Sequence, residues 1–157
     1  MADDMNIGLE TGAREQVAAG LSKLLADTYA VYLKTHGYHW NVRGPYFASL
    51  HALFMDQYTE IWTAIDAIAE RIRALGEVAP QGYGRFGQLS AIRDGDPAQG
   101  AEAMLAELVR DHETLVATAR AVRKSAEQAG DDVSAAIIDD RVQAHEKHAW
   151  MLRSSLG

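Results

Sequence analysis

Apolar residues recur every three or four positions along four long stretches of the chain, which is the spacing of amphipathic α-helices. Glycines and prolines between the stretches predict where helices end. In chain order, the predicted helices run from about Ala13 into residues 36–40, from after Pro45 to Gly76, from Asp96-Pro97 to about Gly130, and from Asp131-Asp132 onwards. The core-facing positions predicted in the fourth helix are Val133, Ile137, Ile138, Ala144, His148, Met151 and Leu152.

Two short links and one long connection join these predicted helices. Residues 77–96 contain Pro80 and four glycines, so they predict an extended connection, with a short helix over residues 88–92. A long connection between the second and third helices lets those two helices run parallel. The predicted fold class is therefore all-α, a four-helix bundle with a short extra helix in the long middle connection.

The composition narrows the class of protein. The chain has 157 residues, enough for one domain with a sizeable core. It contains no cysteine, which excludes disulfides, thiolate metal sites and cysteine nucleophiles. No apolar run is long enough to cross a membrane and the N-terminus lacks the features of a signal peptide, so we expect a cytoplasmic protein. We divide the chain into a flexible acidic segment, residues 1–12, and one helical domain, residues 13–157.

Four residues carry the candidate metal chemistry. Asp66 and Glu70 are four positions apart on the second predicted helix, so both carboxylates lie on one helix face. His39 and His51 flank the link between the first two helices. Carboxylates with nearby imidazoles suit iron, manganese or zinc rather than copper(I). Taken singly, each residue also has an ordinary interpretation, as a solvated carboxylate or a partly buried histidine.

The spacing of these residues separates them within one chain. His51 and Asp66 are fifteen residues apart, or about 22 Å along a helix that rises about 1.5 Å per residue. A symmetric dimer resolves the separation if two copies of the second helix cross antiparallel about an axis near residues 58–62. His51, joined by His39, then meets Asp66 and Glu70 of the mate, and the two-fold symmetry makes two such sites.

Several motifs together resemble the Dps-type mini-ferritins, the DNA-binding proteins from starved cells. The resemblance covers all but about the first dozen residues. The matching residues are Tyr38-His39-Trp40-Asn41-Val42-Arg43-Gly44, Phe47 with Leu50-His51, Asp66 with Ala69-Glu70-Arg71-Ile72, Leu75-Gly76, and His145-Glu146-Lys147-His148-Ala149-Trp150-Met151-Leu152-Arg153.

The resemblance implies a ferritin-like bundle that assembles into a hollow shell of twelve subunits. It implies a ferroxidase that oxidises Fe(II), preferably with hydrogen peroxide, and stores ferric oxide in the cavity. The family's iron ligands fall on His39 and His51 of one subunit and on Asp66 and Glu70 of its two-fold mate. Trp40 lies where the family keeps an aromatic residue beside the diiron site. Its role there is either to intercept radical by-products or to pack the helix end.

Met55 departs from the family pattern. The family usually has a carboxylate four residues after its second histidine, and a thioether is a poor ligand for Fe(II). Asp56 follows, but one residue is about 100° of rotation on a helix. Either one of the two iron positions is weak, or Asp56 reaches the site through a local shift or a water molecule.

The remaining histidines and acidic residues are open to more than one interpretation. His36 shares a face with His39 and is an accessory rather than a primary ligand. His112 lies in the core-facing stripe of the third helix and is expected to pack, while His145 and His148 lack the zinc-protease spacing. The acidic cluster has two interpretations, as lining for iron-admitting pores or as helix capping and surface charge; its members are Asp131, Asp132, Asp139 and Asp140.

The charge of the chain bears on two competing functions. Besides the ferroxidase, we considered a DNA-protecting shell with little iron oxidation, and a plain helical oligomer whose metal site has decayed. The formal net charge is -7, and residues 1–16 carry four acidic side chains against one arginine. Such a surface repels phosphate, so DNA binding is doubtful.

We predict that the purified protein does not retard duplex DNA in a gel at neutral pH and low salt, because an acidic surface gains no affinity from counterion release. The measurement is a gel shift across a series of salt concentrations. Retardation that weakens steeply with added salt would contradict this prediction and favour the DNA-protecting shell.

Overall fold

Five helices make up the regular structure of residues 4–157, the part of the chain that this computed structural model describes. Their bounds are Thr11–Asn41 (α1), Phe47–Ala74 (α2), Tyr83–Leu89 (α3), Ala101–Gln128 (α4) and Asp132–Ser154 (α5). The predicted all-α four-helix bundle with one short extra helix is confirmed. Residues 1–3 of the predicted N-terminal segment lie outside the described residues. None of the described helices is long and apolar enough to cross a membrane.

The four long helices pack around one interior. The helix α1 contacts α2 and α4, α5 contacts α4 and α2, and the short α3 lies against α1. Burial of their apolar faces stabilises this arrangement. The largest fully buried side chains are Leu21, Leu24, Leu25, Phe54, Ile61, Ile68, Ile72, Leu75, Met104, Leu108, Leu115 and Ile138.

Glycines end two of the long helices. Gly76 after α2 has a φ of 94°, and Gly130 after α4 has a φ of 70°. This left-handed conformation favours glycine and lets the following amide turn back onto the helix. Accordingly, the Glu77 amide donates to the Ile72 carbonyl at 3.2 Å, and the Asp131 amide donates to the Ala126 carbonyl at 2.8 Å. Both predicted helix ends are therefore confirmed.

Three predicted boundaries were wrong by a few residues. The helix α1 begins at Thr11 rather than Ala13. Asp96 does not cap α4, which begins at Ala101; the Asp96 carboxylate instead accepts the Ala98 amide at 2.8 Å within a turn. The short helix spans Tyr83–Leu89 rather than residues 88–92.

The short helix ends early because the residues after it bind α1. The buried Asp27 carboxylate accepts the Ser90 hydroxyl and the Ala91 amide, each at 2.8 Å. It also accepts the Thr118 hydroxyl of α4 at 2.7 Å. This single carboxylate therefore holds the middle connection against α1 and α4.

The core-facing side of α5 also differs from the prediction. Val133 is exposed, whereas Ser134, Arg141 and His145 are buried. The prediction followed apolar residues only, but this face of α5 is partly polar. Its polar side chains are buried because they bind one another and neighbouring helices, as described below.

We predict that Asp27→Ala lowers the free energy of unfolding by about 3 kcal/mol, because it removes a buried carboxylate that accepts three hydrogen bonds, from the Ser90 and Thr118 hydroxyls and the Ala91 amide. Chemical denaturation at fixed protein concentration measures the change. The matched control is Asp94→Asn, since Asp94 is an exposed carboxylate of the same connection. Equal stability of the two variants would show that Asp27 does not anchor the connection.

Candidate metal centre

His39 and His51 form a reciprocal pair across the link between α1 and α2. The His39 Nδ1 donates to the His51 carbonyl at 2.7 Å, and the His51 Nδ1 donates to the His39 carbonyl at 2.7 Å. The two rings stack with centroids 3.7 Å apart and planes 14° from parallel. Each histidine thus holds the other ring in place.

These two hydrogen bonds also fix where the proton of each ring lies. A carbonyl oxygen only accepts, so each Nδ1 carries the hydrogen and the Nε2 of the neutral ring keeps its lone pair. Neither Nε2 has a hydrogen-bond partner within residues 4–157. A histidine held through one ring nitrogen and open at the other is typical of a metal ligand.

Asp66 and Glu70 lie far from this pair on the same helix. The helix α2 is continuous from Phe47 to Ala74, so the fifteen-residue separation from His51 to Asp66 is about 22 Å in the folded chain. Both carboxylates are exposed and form no hydrogen bond or ion pair with the described residues. Within residues 4–157, no three histidine, aspartate or glutamate side chains are arranged so that they could hold a metal ion within one chain.

One face of α2 carries both ends of the candidate site. Counted from His51 at about 100° per residue, Met55, Trp62 and Asp66 all lie within about 60° of rotation. The side chains in the middle of this face are large and apolar, yet Met55 is 50% exposed and Trp62 is 58% exposed. These two exposed apolar side chains lie on the helix face that carries both His51 and Asp66.

Asp56 lies on a different side of α2. It is about 140° around the helix from His51. It lines a cavity between α2 and α5 together with Glu60 and His148. In the continuous helix α2, Asp56 therefore lies on a different side from the histidine pair.

Aromatic rings surround the histidine pair on its α1 side. Tyr58 lies edge-on to His39 with ring centroids 5.3 Å apart, and it stacks on His36 at 4.2 Å. Trp40 contacts the other side of His36 at 4.3 Å and is 65% exposed. Trp40 therefore does not pack into the core of this chain. Burial, followed by the nearby His39, lowers the pKa of His36.

A second histidine cluster lies inside the bundle, between α2, α4 and α5. The Arg141 guanidinium donates to both Glu60 oxygens, at 2.6 and 3.0 Å, and to the His145 Nε2 at 3.0 Å. The His145 and His112 Nδ1 atoms lie 2.9 Å apart, and the His148 Nε2 lies 2.9 Å from a Glu60 oxygen. Sequence reasoning missed Glu60 and Arg141, although the four-residue spacing of Arg141 and His145 indicates a shared helix face.

The arginine determines the chemistry of this cluster. Because Arg141 only donates, the His145 Nε2 must accept, and the neutral His145 then donates through Nδ1 to His112. Burial, and then the charges of His148 and Arg141, lower the pKa of His112 to about 3. Burial and His112 hold the pKa of His145 well below its usual value. The guanidinium already supplies the positive charge that Glu60 requires, so the cluster forms a packed polar network.

The acidic residues of α5 have separate surroundings. Asp131 is buried, caps α5 by accepting the Ser134 amide at 3.0 Å, and forms an ion pair with Arg71 at 2.7 Å. Asp139 pairs with Arg123 at 3.1 Å on the surface. Capping therefore accounts for Asp131, while the pore-lining role stays a prediction for the other three.

Comparisons with known proteins agree with the fold. The chain matches the model of the Ferritin-like domain family over residues 18–157. The DNA protection during starvation protein 2 of Bacillus anthracis is 34% identical over 142 residues, which cover 90% of this chain and 97% of that protein. A low temperature-induced protein of Nostoc is 40% identical over 153 residues, which cover 96% of this chain and 85% of that protein.

Solved structures of Dps proteins have the same fold as this chain. The DPS protein from Vibrio cholerae, described as a member of a broad superfamily of ferritin-like diiron-carboxylate proteins, has a TM-score of 0.93. It is 30% identical, and the alignment covers 100% of this chain and 99% of that one. DpsC from Streptomyces coelicolor has a TM-score of 0.96 at 26% identity, with 100% and 92% of the two chains covered.

Because burial lowers the pKa of His112 and His145, we predict that the protein loses stability as the pH falls from 6.5 to 5. The unfolded chain takes up protons below pH 6.5, whereas native His112 stays neutral until about pH 3. The free energy of unfolding should therefore fall by up to about 1.4 kcal/mol per pH unit for each such histidine. Glu60 contributes nothing to this window, because burial opposes its ionisation but His148 and Arg141 lower its pKa to about 2.

Denaturant unfolding at fixed protein concentration measures this slope. His112→Gln should make this slope shallower, while His36→Gln, which changes a partly buried histidine, should retain most of it. An unchanged slope in His112→Gln would contradict the assignment.

Proposed function

The chain belongs to the ferritin-like family, as a Dps-type member, and from this premise we propose that it is a ferroxidase that stores iron. Family membership supports iron storage and protection in general. The observation that carries the finer proposal is the His39–His51 pair, whose two Nε2 atoms are open for a metal ion. Fe(II) is the substrate of the proposed reaction and hydrogen peroxide is the preferred oxidant.

We place each site between two chains. His39 and His51 of one chain bind Fe(II) with Asp66 and Glu70 of its two-fold mate. The separation of about 22 Å along the continuous α2 is the reason for this division. The exposed, unpaired carboxylates and the open imidazole nitrogens are complementary halves of such a site.

The exposed apolar face of α2 supports the same register. If two α2 helices cross antiparallel so that His51 meets Asp66, then Met55 meets Trp62 of the mate, because each lies four residues further inside. Both side chains are half exposed or more in the single chain. A methionine packed against an indole is a favourable contact. This register gives Met55 a role at the interface in place of the carboxylate that the family usually has.

The proposed reaction uses the carboxylates and imidazoles to hold Fe(II) where peroxide has access. Two Fe(II) ions give one electron each to one hydrogen peroxide, which takes up two protons and becomes two molecules of water. No hydroxyl radical is released in this two-electron step. The ferric product then hydrolyses and is stored in the cavity of the assembled shell. We expect this shell to consist of twelve chains and to lie in the cytoplasm.

DNA protection is the second candidate function. The relative from Bacillus anthracis carries that function in its name. The net charge of -7 on this chain opposes binding to phosphate, however. We therefore place iron oxidation first and expect protection of DNA, if present, to come from removal of Fe(II) and peroxide.

Mixing two inactive variants tests the division of the site between chains. We predict that His51→Ala and Asp66→Ala each abolish fast Fe(II) oxidation by peroxide, measured as ferric absorbance after anaerobic loading. When the two variants are co-expressed, a mixed dimer has one site with both defects and one intact site. Random pairing should restore about a quarter of the wild-type sites.

The control is the double variant His51→Ala/Asp66→Ala, which contains no intact site in any pairing. Recovery in the mixture but not in the double variant would support the inter-subunit site. Equally slow oxidation in wild type, single variants and mixture would overturn the ferroxidase proposal.

The number of Fe(II) ions bound per site tests the two interpretations of Met55. We predict that Met55→Asp raises the endpoint of an anaerobic Fe(II) titration, because it adds a hard oxygen ligand at a weak position. Asp56→Asn should leave the endpoint unchanged, since Asp56 faces the α2–α5 cavity. A lower endpoint in Asp56→Asn would mean that Asp56 supplies the ligand. Native mass measurements must show an intact oligomer for both variants.

A further inference from the structure

Three tyrosines form an unbroken series of ring contacts that starts at the candidate metal centre. The Tyr58 ring lies 5.3 Å from the His39 ring, measured between centroids. Tyr58 contacts Tyr32 at 6.1 Å, and Tyr32 contacts Tyr29 at 5.9 Å, both with edge-to-face geometry. The series therefore leads from a metal ligand on α1, through α2, and back along α1.

The placement of these rings follows from the two helices that carry the histidines. Tyr58 is seven residues after His51, or about 20° around α2, so it lies on the face of the metal centre. Tyr29 and Tyr32 are three residues apart on α1 and therefore share one face. All three rings are partly buried, which keeps them in fixed contact.

The series has a defined end. Phe86 of α3 stacks on Tyr29 with centroids 4.9 Å apart and planes 21° from parallel. Phenylalanine is far harder to oxidise than tyrosine because it lacks the phenol. An electron vacancy that enters at Tyr58 is therefore not passed on through Phe86.

The metal centre has a specific use for an additional electron donor. Hydrogen peroxide needs two electrons to become water, and one Fe(II) supplies only one. If Met55 in place of a carboxylate weakens one iron position, a site often holds a single Fe(II) when peroxide arrives. Without a second donor, one Fe(II) and peroxide yield Fe(III), hydroxide and a hydroxyl radical.

We propose that Tyr58 gives the second electron to peroxide at a singly loaded site, and that Tyr32 and Tyr29 share the radical that results. This inference rests on the proposed ferroxidase function. In the step, Fe(II) loses one electron and the Tyr58 phenol loses one electron and its proton. The O–O bond breaks, and the products are Fe(III), a tyrosyl radical, one hydroxide and one water, which contains the phenol proton.

Fe(II), the substrate of the reaction, also reduces the tyrosyl radical. A later Fe(II) ion gives one electron to the tyrosyl radical, which takes up a proton and becomes tyrosine again. Two Fe(II) ions are then oxidised for each peroxide, the same ratio as at a doubly loaded site. The series thus lets a site with one strong iron position complete a two-electron reaction.

Tyr58 is better placed for this role than Trp40. The Trp40 ring contacts His36, whereas Tyr58 contacts the His39 ring itself, and Trp40 is 65% exposed. A radical on Tyr58 is instead adjacent to the His39 ligand and spreads over two further partly buried rings. Tyr58 is therefore the residue whose phenol should matter most.

Electron paramagnetic resonance of freeze-quenched samples tests the proposal. The full-length oligomer is loaded anaerobically with Fe(II) substoichiometric to the sites and then mixed with hydrogen peroxide. Ring-deuterated tyrosine identifies the radical, because deuteration narrows a tyrosyl signal but not a tryptophanyl one. A spin trap in parallel samples records hydroxyl radical, and ferric absorbance records iron oxidation.

The variants are Tyr58→Phe, which keeps the stacked ring, and Tyr83→Phe, which removes an exposed phenol of α3 outside the series. We expect a tyrosyl radical in wild type and Tyr83→Phe, its loss in Tyr58→Phe, and a several-fold rise in trapped hydroxyl radical in Tyr58→Phe alone. Fast iron oxidation without a tyrosyl radical in wild type would overturn this inference and leave the ferroxidase intact. A radical that persists in Tyr58→Phe would also overturn it, and absence of oxidation would overturn both proposals.

Discussion

The reciprocal hydrogen bonds between His39 and His51 are the interaction on which the candidate site depends. Each ring binds the backbone carbonyl of the other residue, so the bonds join the end of α1 to the start of α2. The same bonds direct both Nε2 atoms away from the backbone. One pair of contacts therefore sets the helix–helix geometry and prepares two nitrogen ligands. A single chain supplies only the two histidines of the candidate site, because Asp66 and Glu70 lie far from His51 along α2.

The interior of the bundle shows a different use of histidine. His112 and His145 are fully buried, and Arg141 binds both the Glu60 carboxylate and the His145 ring. Three buried atoms of this network have no hydrogen-bond partner among the described residues: the His112 Nε2, the Arg141 Nε and the His148 Nδ1. The bonds that are formed join α2 to α5 and α5 to α4. The positive charge within the network distinguishes this cluster from the open pair at His39 and His51. The buried histidines thus belong to the packing of the bundle, whereas His39 and His51 are candidate metal ligands, because the groups around the two sets of rings differ.

Much of the fold could be predicted from the sequence, because apolar spacing and glycine stops are local signals. The bound of the short helix failed because a distant side chain decides the conformation there. Asp27 holds residues 90 and 91 out of the short helix, and no local pattern records that contact. On α5 the apolar stripe was misleading, since buried Arg141 and His145 replace the expected hydrophobic side chains.

The sequence proposes the residues of the candidate site, and the structure adds the geometry of the histidine half. Spacing alone separates His51 from Asp66, and the continuous α2 agrees with that separation. The stacked histidine pair and the contact of Tyr58 with His39 depend on how two helices pack, which spacing does not reveal. The motif resemblance supplied the family, and the comparisons confirm it.

Anomalous X-ray diffraction from crystals soaked anaerobically in Fe(II) shows directly where iron binds. We expect an iron peak between two chains, bound by the Nε2 atoms of His39 and His51 and by the carboxylates of Asp66 and Glu70 from the two-fold mate. Iron found only within a single chain, for example at the buried His112 cluster, with none between chains, would contradict it.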